Sequence, residues 1–346
     1  MKLVAIASLL LLVPFASAQD PQMQGPAPEL KRFERLIGNY TGKGTASMAP
    51  GEAPMEWTCQ ATYAWTLGKH FVGADTVVDF GGAIPALAFR ELLGWDRETK
   101  RYVVISVGNE GAGTLNEITF PSDDTMVQIV PKKTEGRAGV ERHETIFTKD
   151  GMKFRLTMLA ATGPSIEVVS GSFTRVDKLK PLAVEAAAAM GPLGQPVEKM
   201  NRVAGTYAVA GEMIMMPGTP VMKITGTDRC RPIFSGAVLQ ISTTGKTEGS
   251  PDIYEGETFV VWNDDKQCFD AFGADNMGWI GSMEERFLDD GRIVATNMAC
   301  FMGQPMTQRM LLDLDAAGKI TKATAMAMSG ASEPYCSFKA DYKLAK

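Results

Sequence analysis

The stretch GNYTGKG, residues 38–44, sets three glycines around one tyrosine, and an altered copy, GTYAVAG, occupies 205–211. Gly38 matches Gly205, Tyr40 matches Tyr207 and Gly44 matches Gly211, each pair 167 residues apart. The same offset aligns Trp95 with Trp262 and Tyr102 with Phe269, and both tryptophans stand just before an acidic turn, in WDRETKRY and WNDDKQCF. Near the ends, GSFTRVDK (171–178) resembles CSFKADYK (336–343), with a small drift in register. One ancestral unit therefore occurs twice.

A glycine-dense run can cradle a phosphate, but only in the order strand, glycines, helix, so that the helix N-terminus meets the anion. Here the order is reversed. Leu30, Phe33, Leu36 and Ile37 fall at helical spacing before the run, and a period of two follows it. The second copy also has Val209 where the first has Gly42. The run thus reads as a strand, with 38, 40, 42 and 44 on one face. Glycines on that face let a strand bend or let other backbone come close, as at a barrel corner.

The rest of each unit reads as strands joined by tight turns. HETIFTK (143–149), the turn DG (150–151) and MKFRLTML (152–159) form a hairpin pattern, and ETFVVWNDDKQCFDAFG and ERFLDDGRIVATNMACF each read strand, acidic turn, strand. The expected fold is all-β: two tandem antiparallel barrels of eight to ten strands, each preceded by a short helix. Between them, 178–195 is rich in alanine and bounded by prolines, which predicts a partly helical linker.

Lys2, the apolar run LVAIASLLLLVPFA (3–16) and the small residues ASA (16–18) predict a signal peptide cut after Ala18. The run is too short to span a bilayer, which takes roughly 20 residues. The expected domains are then 1–18 signal, 19–177 first barrel, 178–195 linker and 196–346 second barrel. The mature chain carries 34 basic against 40 acidic side chains. That balance argues against nucleic acid or anionic membrane as partners. Export permits disulfides, and four of five cysteines (Cys230, Cys268, Cys300, Cys336) lie in the second half, leaving Cys59 unpaired; bridged and buried free thiols are both open. No CxxC pair occurs.

The elements ELKRFERLIGNY, APGEAP (49–54), LGKHFVGADT (67–76) and LLGWDRETKRY resemble the bacterial domain-of-unknown-function 1579 family. In the second half VEKMNRVAGTY, MPGTPVMKITG (216–226) and GETFVVWNDDKQCF do the same. The resemblance spans nearly the whole mature chain and implies lipocalin-like, or calycin-like, barrels in an exported bacterial protein, periplasmic or extracellular. It implies no catalytic residues, because the family has none established. The first copy is also distantly similar to the G-x-W-x-G-x-G opening of nitrobindin-type haem barrels, with Tyr40 in the tryptophan position.

No catalytic constellation emerges. There is no G-x-S-x-G elbow. SGS (170–172) reads as a turn without a partner, and the acidic pairs Asp123–Asp124, Asp264–Asp265 and Asp289–Asp290 read as turn residues. With only His70 and His143 present, a three-histidine zinc site is excluded. His70, beside apolar residues, is the candidate axial ligand for a haem alternative. Methionine is abundant, with 21 in all, in clusters such as EMIMMPG, NMACFMGQPM and TAMAMSG. Met213 with Met215, and Met326 with Met328, read as barrel-interior fillers, with Cu(I) as the rival. The reading favours non-catalytic binding of a small apolar molecule, with no cofactor required. Expected cavity residues are Tyr40, Trp65, His70 and Trp95 in the first unit and Tyr207, Trp262 and several methionines in the second. The alternative from another class is a structural module of the cell envelope with both interiors packed solid.

Overall fold

The computed structural model describes residues 25–47, 53–134, 137–160, 165–214, 217–301, 304–329 and 333–345. The predicted signal segment lies outside them, as does Met215. No helix among the described residues is long and apolar enough to cross a membrane.

Two closed antiparallel barrels of ten strands each follow one another along the chain. The first runs from strand Gly38–Ala46 to strand Ile166–Val176, the second from Gly205–Met213 to Tyr335–Leu344. Strands adjacent in sequence are adjacent in the sheet, and each first strand also pairs with the last. Such a path needs only tight reversals, which the acidic turns supply by binding their own backbone. Asp96 Oδ1 accepts from the Glu98 amide at 2.9 Å, and Asp290 Oδ1 from the Arg292 amide at 3.1 Å.

The glycine run is where the first barrel closes. Gly44 lies opposite Gly171 of the last strand. A Cβ on Gly44 would stand 2.0 Å from the Ser170 carbonyl oxygen and 2.5 Å from the Trp57 ring, so no larger side chain fits. Gly211 repeats the device, its Cβ falling 2.4 Å from the Lys339 carbonyl oxygen. SGS, 170–172, therefore corrects an expectation: it sits inside the Ile166–Val176 strand rather than in a turn. Its composition suggested a reversal, but Gly171 serves to admit the Trp57 ring, which would meet a Cβ there at 2.3 Å.

A helix precedes each closing strand, Pro28–Leu36 and Gln195–Asn201. The first is a 3-10 helix, in which residues three apart eclipse. Leu30, Phe33 and Leu36 thus form one buried row. Phe33 sets its edge against Tyr102, with ring centroids 5.5 Å apart, and the Tyr102 hydroxyl donates to the Glu29 carbonyl at 3.1 Å. This helix plugs one end of the barrel.

The linker is a strap rather than a helix of any length, with a single 3-10 turn at Val184–Ala186. Tertiary contacts override the alanine propensity. Val184 is fully buried in an apolar cluster that takes Phe71, Leu92 and Ile105 from the first barrel and Phe234, Phe259 and Phe272 from the second. Glu185 binds Arg90 of the first barrel at 2.6 Å and also Arg231 of the second. Runs such as VVISV (103–107) and FVVW (259–262) do not alternate in hydropathy because both strand faces are covered there.

Candidate functional site

The two interiors differ. The first barrel holds a partly open cavity of about 300 Å³. Cavities that take small molecules run roughly 300–1,000 Å³. Period-two alternation aims Leu87, Phe89, Glu91 and Leu93 into it from one strand. The outward residues of that strand, Ala88 and Leu92, pack into the inter-barrel cluster instead.

Aromatic and aliphatic groups make most of the wall, with Trp57, Phe80, Phe89, Phe154 and Phe173 among them. Across it runs a belt of polar side chains: Tyr63, Thr76, Glu91, Ser106, Gln128 and His143. Strand register assembles the belt. Glu91 stands opposite Ser106, Gln128 opposite His143, and both Tyr63 and Glu91 flank Ala74. Glu91 hydrogen-bonds Ser106, and burial raises its carboxyl above the usual range although His143 opposes this. Burial likewise raises the Tyr63 phenol, helped by the nearby Glu91. His143 Nε2 lies 3.0 Å from Glu141 Oε2, and its ring stands edge-on to Phe154 at 6.0 Å. No lysine or arginine is among the described residues lining the cavity. Because Ser106 is bonded to Glu91 and His143 to Glu141, no serine–histidine pair of the kind that activates a nucleophile is formed. The arrangement can hold an amphipathic molecule by its polar end.

None of the side chains expected to line this cavity does so. Tyr40 is core: its hydroxyl donates to the Arg35 carbonyl at 3.2 Å and accepts from Arg175 at 2.8 Å. Trp95 stacks edge-on against Tyr102 at the plugged end, with centroids 4.7 Å apart. Trp65 lies in a cleft outside the barrel with Asp75, Arg90 and Glu257. His70 is 4% exposed near Gly278 of the second barrel, and burial with the neighbouring Arg97 pushes its imidazole down to about 4. A haem ligated by His70 is therefore not compatible with this cavity. The residues missed from sequence, Glu91 and His143 above all, sit in segments with no motif. Only the parity of each strand betrays them, and nothing local says which parity faces in.

In the second barrel the offset of 167 places Cys230, Thr243, Thr258, Gly273, Ala295 and Met310 where the first has its polar belt. The strand registers agree, since Gly205 pairs with Cys230 as Gly38 does with Tyr63. Tyr207 is fully buried in a continuous apolar core, its hydroxyl donating to the Val203 carbonyl at 2.7 Å. Trp262 lies in an open groove beside the Gln195–Asn201 helix and donates to Asp264 at 2.6 Å. The void beside Val209, Asp228, Thr243 and Tyr342 measures about 10 Å³, about what one water molecule needs. Tyr342 donates to the buried Asp228 at 3.0 Å, and burial pushes that carboxyl up to about 6. Glu285, fully buried, has neither oxygen hydrogen-bonded and is pushed up to about 8.

Met213, Met283 and Met310 do fill this core. Met326 and Met328 do not. They face outward, 37% and 40% exposed, while Ala325 and Ala327 point in. Cys59, Cys230, Cys268 and Cys336 are thiols in no disulfide, and the Cys300 side chain lies outside the described residues. Cys268, Asp270 and Glu284 converge closely enough to hold a metal, but Lys266 already reaches Asp270 at 2.8 Å and Glu284 at 3.1 Å. That group reads as an ion-pair cluster.

No match was found among curated proteins. Among solved structures, the chain is similar to Rv2717c from M. tuberculosis at 14% identity and a TM-score of 0.33, over 44% of this chain and 99% of that one. It is also similar to a protein of unknown function of the DUF3598 family from Nostoc punctiforme at 9% identity and a TM-score of 0.26, over 92% of this chain and 100% of that one. Residues 25–175, which span the first barrel, match the family described as protein of unknown function DUF1579. The family match thus covers the first barrel, whose strand order and register the second barrel repeats.

Proposed function

We propose that this is a binding protein whose first barrel takes a small, mainly apolar molecule with a hydrogen-bonding end, while the second barrel serves as a solid support. The observation that carries the reading is the contrast between the cavity of about 300 Å³ in one barrel and the filled core of its repeat. A barrel built only for rigidity gains from filling its interior, since buried voids lose dispersion contacts. The first barrel keeps a void and furnishes it with polar groups. We propose further that the chain is exported, so the ligand would be met outside the cytoplasm.

The test is binding of an environment-sensitive apolar dye to the full chain, compared with a Val78→Trp variant. Val78 lines the cavity, and the larger ring fills it. Dye fluorescence should rise with the parent protein and be lost in the variant, with circular dichroism unchanged. Equal dye response in both proteins would place binding elsewhere and overturn the reading.

A further inference from the structure

Resting on the reading that the first barrel binds a small molecule, we propose that its ligand class is a lipophilic amine, with the ammonium held by Glu91 and the hydrocarbon body against the aromatic wall. Three features of the cavity point the same way.

The first is the sign of the charge. The titratable groups facing the cavity are Glu91, His143 and Tyr63, with Glu141 bonded to His143 from the same strand, and no lysine or arginine lines it among the described residues. A carboxylate ligand such as a fatty acid would enter an apolar chamber that has the Glu91 carboxyl and, among the described residues, no fixed cation. Like charges in a desolvated site repel strongly. An amine meets the opposite situation.

The second is the state of Glu91. It lies on the wall with Ser106 as its hydrogen-bond partner, while Arg90 and Asp75, the neighbouring ion pair, are turned outward between the barrels. A neutral hydroxyl partner leaves the negative charge of a carboxylate uncompensated. A bound ammonium supplies the missing charge and up to three donors. Burial by itself favours the neutral acid, so a cation placed beside Glu91 is what draws out the carboxylate.

The third is the wall itself. Trp57, Tyr63, Phe80, Phe89, Phe154 and Phe173 surround the chamber. Aromatic faces attract cations, and more strongly when water is excluded. The repeat supports the assignment by contrast: where the first barrel has Glu91, Phe89 and Phe173, the second has Thr258, Gly256 and Tyr342, and the void beside Tyr342 is about 10 Å³.

The experiment titrates the full chain at neutral pH by calorimetry with 1-aminooctane, 1-octanol and octanoate, three probes of one chain length. The amine should bind about tenfold tighter than the alcohol, the gain expected of one charge-assisted contact, and octanoate should bind weakest. Glu91→Gln, which keeps the shape and the Ser106 contact, should erase the preference for amine, bringing its affinity down to that of octanol. Its melting temperature, measured alongside, should not fall, because the neutral amide removes a buried ionisable group. Equal affinity for amine and alcohol in the parent protein would overturn the amine assignment while the binding reading stands. An amine preference that survives Glu91→Gln would also overturn it. Failure of all three probes to bind would overturn both.

Discussion

The two barrels share strand order, strand register and closing glycines, yet one encloses a chamber and the other a core. Of six matching inward positions, five differ, and one, Thr76 with Thr243, is unchanged. Tyr63, Thr76, Glu91, Ser106, Gln128 and His143 in the first barrel correspond to Cys230, Thr243, Thr258, Gly273, Ala295 and Met310 in the second. Thr243 apart, the second set is smaller or apolar and lets neighbouring side chains meet, as Met310, Phe338 and Tyr342 do within one cluster. The pair Asp228 and Tyr342 takes the places of Ala61 and Phe173, crossing the interior with a hydrogen bond where the first barrel is open. A repeated scaffold thus separates what closes a barrel from what fills it. Closure depends on backbone and glycine, filling on side-chain volume.

The sharpest way to break this comparison is to truncate one inward leucine in each barrel. Leu312→Ala removes a fully buried side chain from the second core and should cost about 3–5 kcal/mol. Leu156→Ala, on the cavity wall of the first barrel, already faces a void and should cost about 1 kcal/mol or less. Chemical denaturation of both variants measures the difference, and equal losses would mean the first barrel is packed as tightly as the second.

A smaller effect is expected at Glu285, whose counterpart in the first barrel is Ile118. Its carboxyl is raised to about 8 in the folded state. The folded protein therefore holds a proton that the unfolded chain releases near 4.5, and the contribution to stability is fully present below that pH. It is lost as pH rises toward 8. Glu285→Gln should leave stability unchanged near pH 4 and raise it by roughly 2–3 kcal/mol at pH 8 and above. A pH series of thermal scans that shows parallel curves for the two proteins would contradict the burial assigned to this group.

The join between barrels gives a still smaller expectation. Glu185 stands between Arg90 and Arg231, so Glu185→Ala leaves two partly buried guanidinium groups facing each other. A loss of about 1–2 kcal/mol follows, because the apolar cluster around Val184 remains. The signature to look for is a thermal transition that splits in two as the barrels uncouple. At the bottom of the scale stand the cysteines. With Cys59, Cys230, Cys268 and Cys336 in no disulfide, a reducing agent should leave the melting temperature of either half unchanged. A reductant-sensitive second half would show that it is cross-linked.

The fold was open to reading because its evidence is local and repeated. Gly38, Tyr40 and Gly44 recur with the same spacing as Gly205, Tyr207 and Gly211, and each requirement is met within a few residues: a helix, a glycine-rich strand, an acidic turn. The site was not. Aromatic residues that stand out in the sequence, such as Tyr40, Trp95 and Tyr207, turned out to be the packing that repeats demand. The residues that furnish the chamber, Glu91 in FRELLGW and His143 in ERHET, look like ordinary strand residues.

By itself, then, the sequence determined the strand periodicity, the turns, the duplication and the glycines at which each barrel closes. These follow from local backbone geometry and from steric limits on a Cβ. Only the tertiary structure decided which parity of each strand faces inward, so that Met326 and Met328 lie outside and Glu91 inside. It also decided that outward faces of both barrels are buried against each other around Val184 and Glu185. The reason is that both faces of several strands are apolar here. Inward and outward are then settled by which side chains meet across the whole barrel, a sum over distant residues that no single stretch contains.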